Sequence, residues 1–434
     1  MRLLIFLVLY NLLLPVALIV GFPGYYRRMR KRGGYRRDFG QRFGFFSPEL
    51  KRVFQEKRRW SWIRAVSVGE MVQALRLAEE LKRQDPTFHA VISTTTSTGY
   101  ALGQQRSRPG WLHVIYSPID FYPIVARVWR LLGPREVILV DSDLWPSFLA
   151  CARAHRAPVH LANARLSPRS QRHYRTLRWI AEPLLWRHMT RVYAQHPDEA
   201  AQWLAVGLNE ARVIPAGSLK YDAEGLATVS PFDEWLRQHG CEPKAHRFLL
   251  GGSLHPGEEE MLLKALVDLR KRYPDLFLIL VPRHVERTPE ILQLLKAHPV
   301  RWTIRSEPRF EPDTAVLLVN STGELRGWYE TADVVVIGKS FHGTGGQNPV
   351  EPLQAARPVI CGPHMENFAT LVRDLVAAGG VRQLGDADRL PDAIAELLDH
   401  PDRAAAMAER ARSVLAFHRG ATARIAASIL ALRR

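Results

Sequence analysis

Three apolar, β-branched runs in this chain each lead into the same kind of turn before a helix. The turns are VSVGE at 66–70, STGE at 321–324 and NPVE at 348–351, and each combines a capping side chain with a glutamate three residues later. In a parallel α/β sheet such turns fall at the carboxyl ends of strands, where these folds bind ligands. Helix N-termini there present free backbone N–H groups and a positive dipole end. The sequence therefore predicts a cleft that holds an anionic ligand.

Alternation of strands and helices extends along most of the chain. From Trp60, apolar runs such as WIRAVSV, HAVIST and EVILV alternate with helical patterns such as GEMVQALRLAEELKRQ. After a polar stretch, the alternation restarts with RFLLGGS and continues through LFLILVPRH, AVLLVN and DVVVIGKS. This pattern predicts an α/β protein with two parallel, doubly wound sheets. A length of 434 residues is also too great for one ordinary core, so we expect two domains.

We expect six segments along the chain. They are a membrane anchor helix at 1–24, a basic juxtamembrane segment at 25–59, a first domain at 60–222, a linker region at 223–246, a second domain at 247–415, and a C-terminal helix at 416–434 that could pack back on the first domain.

The N-terminal segment is almost entirely apolar from residue 3 to residue 22, with interruptions at Asn11 and Pro15. A helix of this length spans ~30 Å, about one hydrocarbon core. The next stretch, 25–42, holds eight Lys or Arg residues and one acidic residue. Because the positive charge follows the apolar segment, it predicts an uncleaved anchor that leaves the rest of the chain in the cytoplasm. The length fits either a spanning helix or one that lies in a single leaflet.

The net charge of +17 points to an anionic partner. The excess is concentrated beside the apolar segment, and neither an RNP1 motif nor a zinc finger is present, so we expect a membrane with anionic headgroups rather than nucleic acid. The three cysteines are far apart and lack zinc-type spacing. We therefore predict no metal and no cofactor.

The VSVGE turn contains the first candidate for chemistry. Ser67 can cap the helix and Glu70 can close a capping box, which is the purely structural interpretation. In the functional interpretation, Gly69 allows an acceptor to approach the backbone, and Glu70 acts as a general base that the helix dipole keeps ionised. In the DSD motif, Asp141 and Asp143 could bind a metal, position an acceptor or stabilise a transition state. No third ligand at a recognisable spacing supports a metal.

Basic residues and a glycine-rich loop are further candidates for binding an anionic ligand. Arg283 in VPRH is a natural fork for a phosphate or carboxylate. Lys220 in GSLK could reach a leaving phosphate, although a lone lysine is more often a surface charge. The glycines in FHGTGGQ make the loop before NPVE pliable, as in turns that cradle phosphate, but glycines alone are a weak signal. Glu351 could accept hydrogen bonds from ribose hydroxyls.

Together these motifs resemble the 3-deoxy-D-manno-octulosonate (Kdo) transferases of lipopolysaccharide assembly. The resemblance covers nearly the whole chain and rests on YRRDFGQRFGF, AVSVGE, DSDLWPS, LANARLS, GSLKYD, SLHPGEEE, LVPRH, STGEL, GGQNPVEP and GPHMENF. It implies a GT-B fold, in which two Rossmann-like domains face a cleft and an N-terminal helix enters the membrane.

The resemblance also implies a chemical reaction and a role in it for each of several residues. The enzyme would move Kdo, with inversion, from CMP-Kdo to a lipid A precursor, lipid IVA, at the cytoplasmic face of the cell inner membrane. Glu70 matches the catalytic base, and Asp141 and Lys220 match positions that stabilise the transition state. Ser67, Gly69 and Asp143 are candidates on the acceptor side. The segments that match CMP contacts are Pro282, Arg283, Thr322, Gly323, Glu324, Asn348, Pro349, Val350 and Glu351.

Several positions depart from the family pattern. Gln347 stands where the family usually has His, Lys339 where it has Gly, Arg64 where it has His, and Gln41 where Glu is frequent. The two aspartates of DSD replace a glutamate pair, so each carboxylate lies about one methylene further back. Two alternatives remain open: another GT-B transferase that uses a UDP-sugar on a lipid acceptor, and a non-catalytic relative that binds glycolipid.

Overall fold

The computed structural model describes residues 2–32, 38–56, 59–141, 143–166, 168–222 and 231–433. Parts of the expected basic juxtamembrane segment (33–37 and 57–58) and of the expected linker (223–230) lie outside the described residues. The chain divides into two compact units, one formed by Met1–Ala223 with His418–Arg434 and the other by Glu224–Phe417. Each unit contains a seven-stranded parallel sheet, so the prediction of an α/β fold with two parallel, doubly wound sheets is confirmed.

The sheet of the first unit has the strand order β3-β2-β1-β4-β5-β6-β7. Its strands are β1 Trp60–Arg64, β2 His89–Thr94, β3 Leu112–Tyr116, β4 Glu136–Val140, β5 Val159–Ala164, β6 Arg191–Ala194 and β7 Val213–Pro215. The helices of this unit are α1 Arg2–Arg32, α2 Pro48–Gln55, α3 Val68–Gln84, α4 Ser97–Arg106, α5 Tyr122–Leu132, α6 Pro146–Ala154, α7 Pro168–Thr176, α8 Arg178–Ala181 and α9 Pro197–Ala205.

Strand β1 shows why the strands of this unit are apolar throughout. All five of its residues are buried, because helices cover both faces of the sheet. Trp60 and Trp62 point into one hydrophobic core, whereas Ile63 points into the core on the opposite face. The order of the strands reverses between β1 and β4, and the carboxyl edge at such a reversal is where open α/β sheets bind ligands.

The second unit has the strand order β10-β11-β9-β8-β12-β13-β14, which reverses between β8 and β12. Its strands are β8 Arg247–Leu254, β9 Leu276–Pro282, β10 Arg301–Ile304, β11 Thr314–Leu318, β12 Val334–Ile337, β13 Val359–Cys361 and β14 Arg382–Gln383. The helices are α10 Pro231–Gln238, α11 Glu258–Leu269, α12 Thr288–Lys296, α13 Leu325–Thr331, α14 Val350–Gln354, α15 Ala369–Ala377, α16 Leu390–Asp399 and α17 Pro401–Ala416.

The N-terminal helix α1 is attached to the first unit by its polar interruption. Within the described residues it is the one helix long and apolar enough to cross a membrane, with a mean hydropathy of 2.8 over Leu3–Gly21 and none of that stretch buried. Asn11 Oδ1 accepts the backbone N–H of Tyr122 at 2.7 Å, and Asn11 Nδ2 lies 3.1 Å from Ser147 Oγ. Asn11 therefore fixes an apolar helix to the polar ends of two other helices.

The last helix, α18 (Ala421–Ala431), belongs to the first unit. Ile425, Ala426 and Ile429 join the core that contains α3. Just beyond the helix, the Arg433 guanidinium binds both carboxylate oxygens of Glu136 and lies 3.1 Å from Asp85. Because the Arg433 side chain is only 8% exposed and that of Glu136 only 2%, this ion pair is buried.

Replacement of Arg433 by Met should destabilise the first unit. Removing one partner of a buried ion pair leaves an uncompensated charge and costs about 3–5 kcal/mol. We expect Arg433→Met to lower the thermal midpoint of the detergent-solubilised protein by several degrees, measured by scanning fluorimetry. The control is Arg412→Met, which removes an exposed pair with Glu409 and should cost ~0–1 kcal/mol. Equal midpoints in the two variants would show that the pair is not stabilising.

Candidate functional site

Glu70 lies in the first turn of α3 and takes part in the capping of this helix. Ser67 is the N-cap, and its Oγ accepts the backbone N–H of Glu70 at 3.3 Å. In return, Glu70 Oε1 accepts the Ser67 hydroxyl at 3.0 Å, and Oε2 accepts the N–H of Val66 at 2.7 Å. The capping interaction predicted from the VSVGE spacing is therefore formed. It holds a half-buried carboxylate in one orientation just beyond the carboxyl end of β1.

The environment of Glu70 raises the pKa of its carboxyl group. Burial is the largest cause, and the negative charges of Asp141 and Asp143 add to it. The hydrogen bonds from Val66 and Ser67 act in the opposite direction but do not outweigh burial. The helix dipole alone would lower the pKa, so the net direction is opposite to what the sequence led us to expect. A raised pKa makes the ionised carboxylate a stronger base.

Asp141 lies beside two cations at the next strand of the sheet. It follows β4 directly and has a left-handed backbone, with φ of 66°. Arg165 Nε is 3.7 Å from Asp141 Oδ1. Burial raises the pKa of Asp141, whereas the charges of Arg165 and Lys220 lower it. Arg165 was not predicted as a site residue; its only signal in the sequence is its place in the LANARLS motif.

The pKa of Lys220 is lowered in the same group of charges. Although Lys220 is exposed at the surface of the unit, partial desolvation by the surrounding protein is the main cause; the nearby Arg165 lowers the pKa further, and Asp141 partly offsets both. Lys220 is therefore part of the electrostatic group around Asp141 rather than an isolated surface charge.

Asp143 has different partners from Asp141. The strand ends at Val140, so the two aspartates do not share a strand face, and α6 begins at Pro146, so Asp143 does not cap it. Asp143 Oδ2 accepts Arg64 Nε–H at 2.9 Å, and Oδ1 accepts the indole N–H of Trp145. Arg64 and Asp143 thus form one buried ion pair. Ser142, between the two aspartates, lies outside the described residues.

Both carboxylate oxygens of Glu324, in the STGE turn, accept hydrogen bonds from residues of the second unit. Its Oε2 accepts the Ser321 hydroxyl at 2.6 Å, and its Oε1 accepts Arg305 Nη2–H at 3.2 Å. Helix α13 begins only at Leu325. Thr322 and Gly323 lie in the turn before it, and Gly323 has φ of 85° with open space around the position of a Cβ. This glycine is therefore required by the backbone conformation rather than by crowding.

The NPVE turn begins its helix one residue later than predicted. Pro349, rather than Asn348, is the N-cap of the short helix α14, which starts at Val350. Asn348 Oδ1 nevertheless accepts the N–H of Val350 at 3.1 Å. Glu351 is half-buried in the first turn, and its charge adds to the burial that raises the pKa of Tyr329.

Glu258 accepts hydrogen bonds from backbone N–H groups at the start of the glycine-rich loop. Its fully buried carboxylate accepts the N–H groups of Lys339 at 2.6 Å, Ser340 at 3.0 Å and Phe341 at 3.2 Å. Glu366 accepts the N–H of Gly345 at 2.5 Å. These N–H groups are therefore bound to carboxylates of the protein instead of being free for a phosphate. Sequence reasoning missed Glu258, whose only signal is its place in SLHPGEEE.

Arg283, which we predicted to bind a phosphate or carboxylate, lies just after the end of β9 in the second unit. Pro282 is the last residue of this strand, and the N–H of Arg283 donates to the carbonyl of Leu254 at 2.9 Å. The Arg283 side chain is exposed. Within the described residues, no group of three or more His, Cys, Asp or Glu side chains could hold a metal ion.

Known proteins resemble this chain along most of its length. Residues 37–223 match the family described as 3-deoxy-D-manno-octulosonic-acid transferase (kdotransferase). The 3-deoxy-D-manno-octulosonic acid transferase of Haemophilus influenzae is 30% identical over 401 residues, which are 90% of this chain and 90% of the relative. The corresponding transferase of Bordetella pertussis is 33% identical over 375 residues, or 84% of this chain and 85% of the relative.

The structural likeness extends to proteins with little sequence identity. The UDP-GlcNAc 2-epimerase from Neisseria meningitidis bound to UDP-GlcNAc has a TM-score of 0.59 at 15% identity, covering 86% of this chain and 100% of that chain. This likeness shows the fold alone and supports the GT-B-like architecture.

Glu199, in the first turn of α9, should make the first unit less stable as the pH rises. Burial raises the pKa of Glu199 to about 7, so the folded chain binds its proton more tightly than the unfolded chain does. Stability should therefore fall between about pH 4.3, the ordinary glutamate pKa, and about pH 7. Glu199→Gln should raise the thermal midpoint more at pH 8 than at pH 5. Glu210→Gln, at an exposed site, is the control, and an equal gain at both pH values would contradict the prediction.

Proposed function

This chain belongs to the 3-deoxy-D-manno-octulosonic acid (Kdo) transferase family, and we propose that it moves Kdo from CMP-Kdo to the lipid A precursor lipid IVA. Family membership makes the chain a glycosyltransferase. The cytidine nucleotide, the lipid acceptor and the roles of single residues are parts of the proposal.

The observation that supports this function best is the state of Glu70. Two hydrogen bonds fix its carboxylate, and burial raises its pKa. A general base needs both a fixed position and a pKa that has moved toward the working pH. A carboxylate offers about four acceptor positions. The two that are used leave capacity for a hydrogen bond from a substrate hydroxyl.

The proposed reaction is a single displacement with inversion. Glu70 takes the proton of the 6′-hydroxyl of the lipid A disaccharide, and the oxygen forms a bond to the anomeric C2 of Kdo. The bond from C2 to the phosphate oxygen breaks at the same time, and CMP leaves with that electron pair. General base catalysis of this kind contributes typically 10²- to 10⁴-fold.

Negative charge on the departing phosphate requires stabilisation. Lys220 and Arg165 are the cations that we assign to this role. Asp141 holds both, because its carboxylate lies 3.7 Å from Arg165 and interacts with Lys220. Preorganised charges of this kind are usually the largest contribution to catalysis. The segments that we assign to CMP are Pro282–Arg283, 322–324 and 348–351.

We further propose that α1 holds the enzyme at the cytoplasmic side of the cell inner membrane. The apolar stretch Leu3–Gly21 supports this location, and the basic residues that follow it would bind anionic headgroups at about 1 kcal/mol each. An enzyme in this position reaches a lipid acceptor without extracting it from the membrane.

Glu70→Gln tests the proposed base. Gln preserves the cap, because capping boxes accept Glu or Gln, but it cannot take a proton. We expect CMP binding to remain and Kdo transfer to fall by roughly 10²- to 10⁴-fold, measured by mass spectrometry of lipid IVA after incubation with CMP-Kdo. Glu79→Gln, at an exposed position of the same helix, should transfer normally. Normal transfer by Glu70→Gln would assign the base to another residue.

The pH profile gives an independent test. Protonated Glu70 cannot act as a base, so kcat/KM should fall as the pH drops through a pKa above the ordinary glutamate value of about 4.3. Asp141→Asn removes a charge that raises the pKa of Glu70, and the acid limb should then move to lower pH whatever the maximal rate. Asp268→Asn, on the surface of the second unit, should leave the limb in place. An acid limb unmoved by Asp141→Asn would contradict the assignment.

A further inference from the structure

Lys339 adopts a backbone conformation that normally belongs to glycine. It follows β12 by two residues and has φ of 57°, in the left-handed region. A side chain at such a position costs free energy that glycine does not pay. Glycine would adopt this conformation without that cost, so lysine is not the least strained choice here. Strained residues of this kind concentrate at functional sites, where the side chain serves a purpose.

Buried Glu258 holds Lys339 next to His255. One oxygen, Glu258 Oε2, accepts the N–H of Lys339 at 2.6 Å and the N–H of His255 at 2.9 Å. His255 directly follows β8, and β8 and β12 are the two neighbouring strands at which the order of this sheet reverses. Lys339 and His255 therefore lie on the two sides of the position where doubly wound sheets bind ligands.

The side chains around this position are mainly cationic or neutral donors. The rings of His255 and His284 are 5.9 Å apart between centroids, and Gln347 Nε2 lies 3.1 Å from His255 Nε2. Burial lowers the pKa of His255 and the negative charge of Glu258 partly offsets this, whereas the positive charges of Lys339, His284 and Arg287 lower it further. The Lys339 charge thus lies close enough to His255 to affect the titration of its ring.

Nearby acidic groups do not neutralise Lys339. Glu258 directs its oxygens to backbone N–H groups, and Glu259 binds Arg287 at 2.7 Å. Among the described residues, no carboxylate lies within 4.0 Å of the Lys339 ammonium. The backbone N–H groups of Lys339, Ser340 and Phe341 are not available to an anion, because Glu258 accepts them. An anion at this edge would therefore be bound by side chains.

We propose that Lys339, with His255 and His284, forms a subsite for an anionic oxygen group of the nucleotide-sugar donor. The inference rests on the proposed function, which gives the donor two such groups: the phosphate of CMP and the carboxylate of Kdo. Lysine and histidine bind either group through charge-assisted hydrogen bonds. Lys339 would then be a donor-binding residue.

Calorimetry with cytidine and CMP, together with steady-state kinetics with CMP-Kdo, tests the subsite on the full-length protein in detergent. Loss of a hydrogen bond to a charged group should weaken binding by roughly tenfold or more. If the phosphate occupies the subsite, Lys339→Met should weaken CMP binding and leave cytidine unchanged. If the carboxylate does, CMP binding should stay unchanged and KM for CMP-Kdo should rise with little change in kcat. Lys271→Met, at an exposed site of the same unit, is the control.

Two further variants separate binding from folding. Lys339→Gly removes the backbone strain, so it should keep or raise the thermal midpoint while it weakens donor binding. Lys339→Arg should retain much of the affinity. Lys339→Met with the same CMP affinity and the same KM as Lys271→Met would overturn the subsite. The proposed function fails separately, if the wild-type protein neither binds CMP nor adds Kdo to lipid IVA.

Discussion

Parallel strand pairing brings the functional candidates of each unit together, because it places the carboxyl ends of all strands at one edge of a sheet. In the first unit, Glu70, Asp141 and Arg165 follow β1, β4 and β5, which are neighbours in the sheet. In the second unit, Arg283, His255 and Lys339 follow β9, β8 and β12, which are also neighbours. Residues up to about 100 positions apart in the chain thus share one edge without any long loop.

Carboxylates also organise the backbone at these edges. Glu70 binds the N–H of Val66, Glu258 binds a run of consecutive loop N–H groups, and Asp120 binds the N–H groups of Ser147 and Phe148 at the start of α6. Glu258 and Asp120 are buried and serve the backbone. Glu70 is only half-buried, and this difference makes it the one of the three that could also meet a substrate.

The sequence predicted features that depend on local spacing, and it missed those that depend on strand order. The alternation of strands and helices and the cap at Glu70 follow from residues within a few positions of each other. The Arg64–Asp143 pair joins residues 79 positions apart, and the bond from Glu258 to the Lys339 N–H spans 81 positions. Motif resemblance pointed to catalytic roles, but it could not show that Arg64 and Asp143 are partners, because neither has a local signal for the other.

The two hydrogen bonds that join Asn11 to Tyr122 and Ser147 have a consequence for the membrane insertion that we propose for α1. The amide of Asn11 bonds both the Tyr122 backbone and the Ser147 hydroxyl, so α1 cannot rotate about its axis or slide along the first unit without breaking them. If α1 enters the membrane as we propose, its immersion depth would therefore also set the height of Glu70 above the lipid tails.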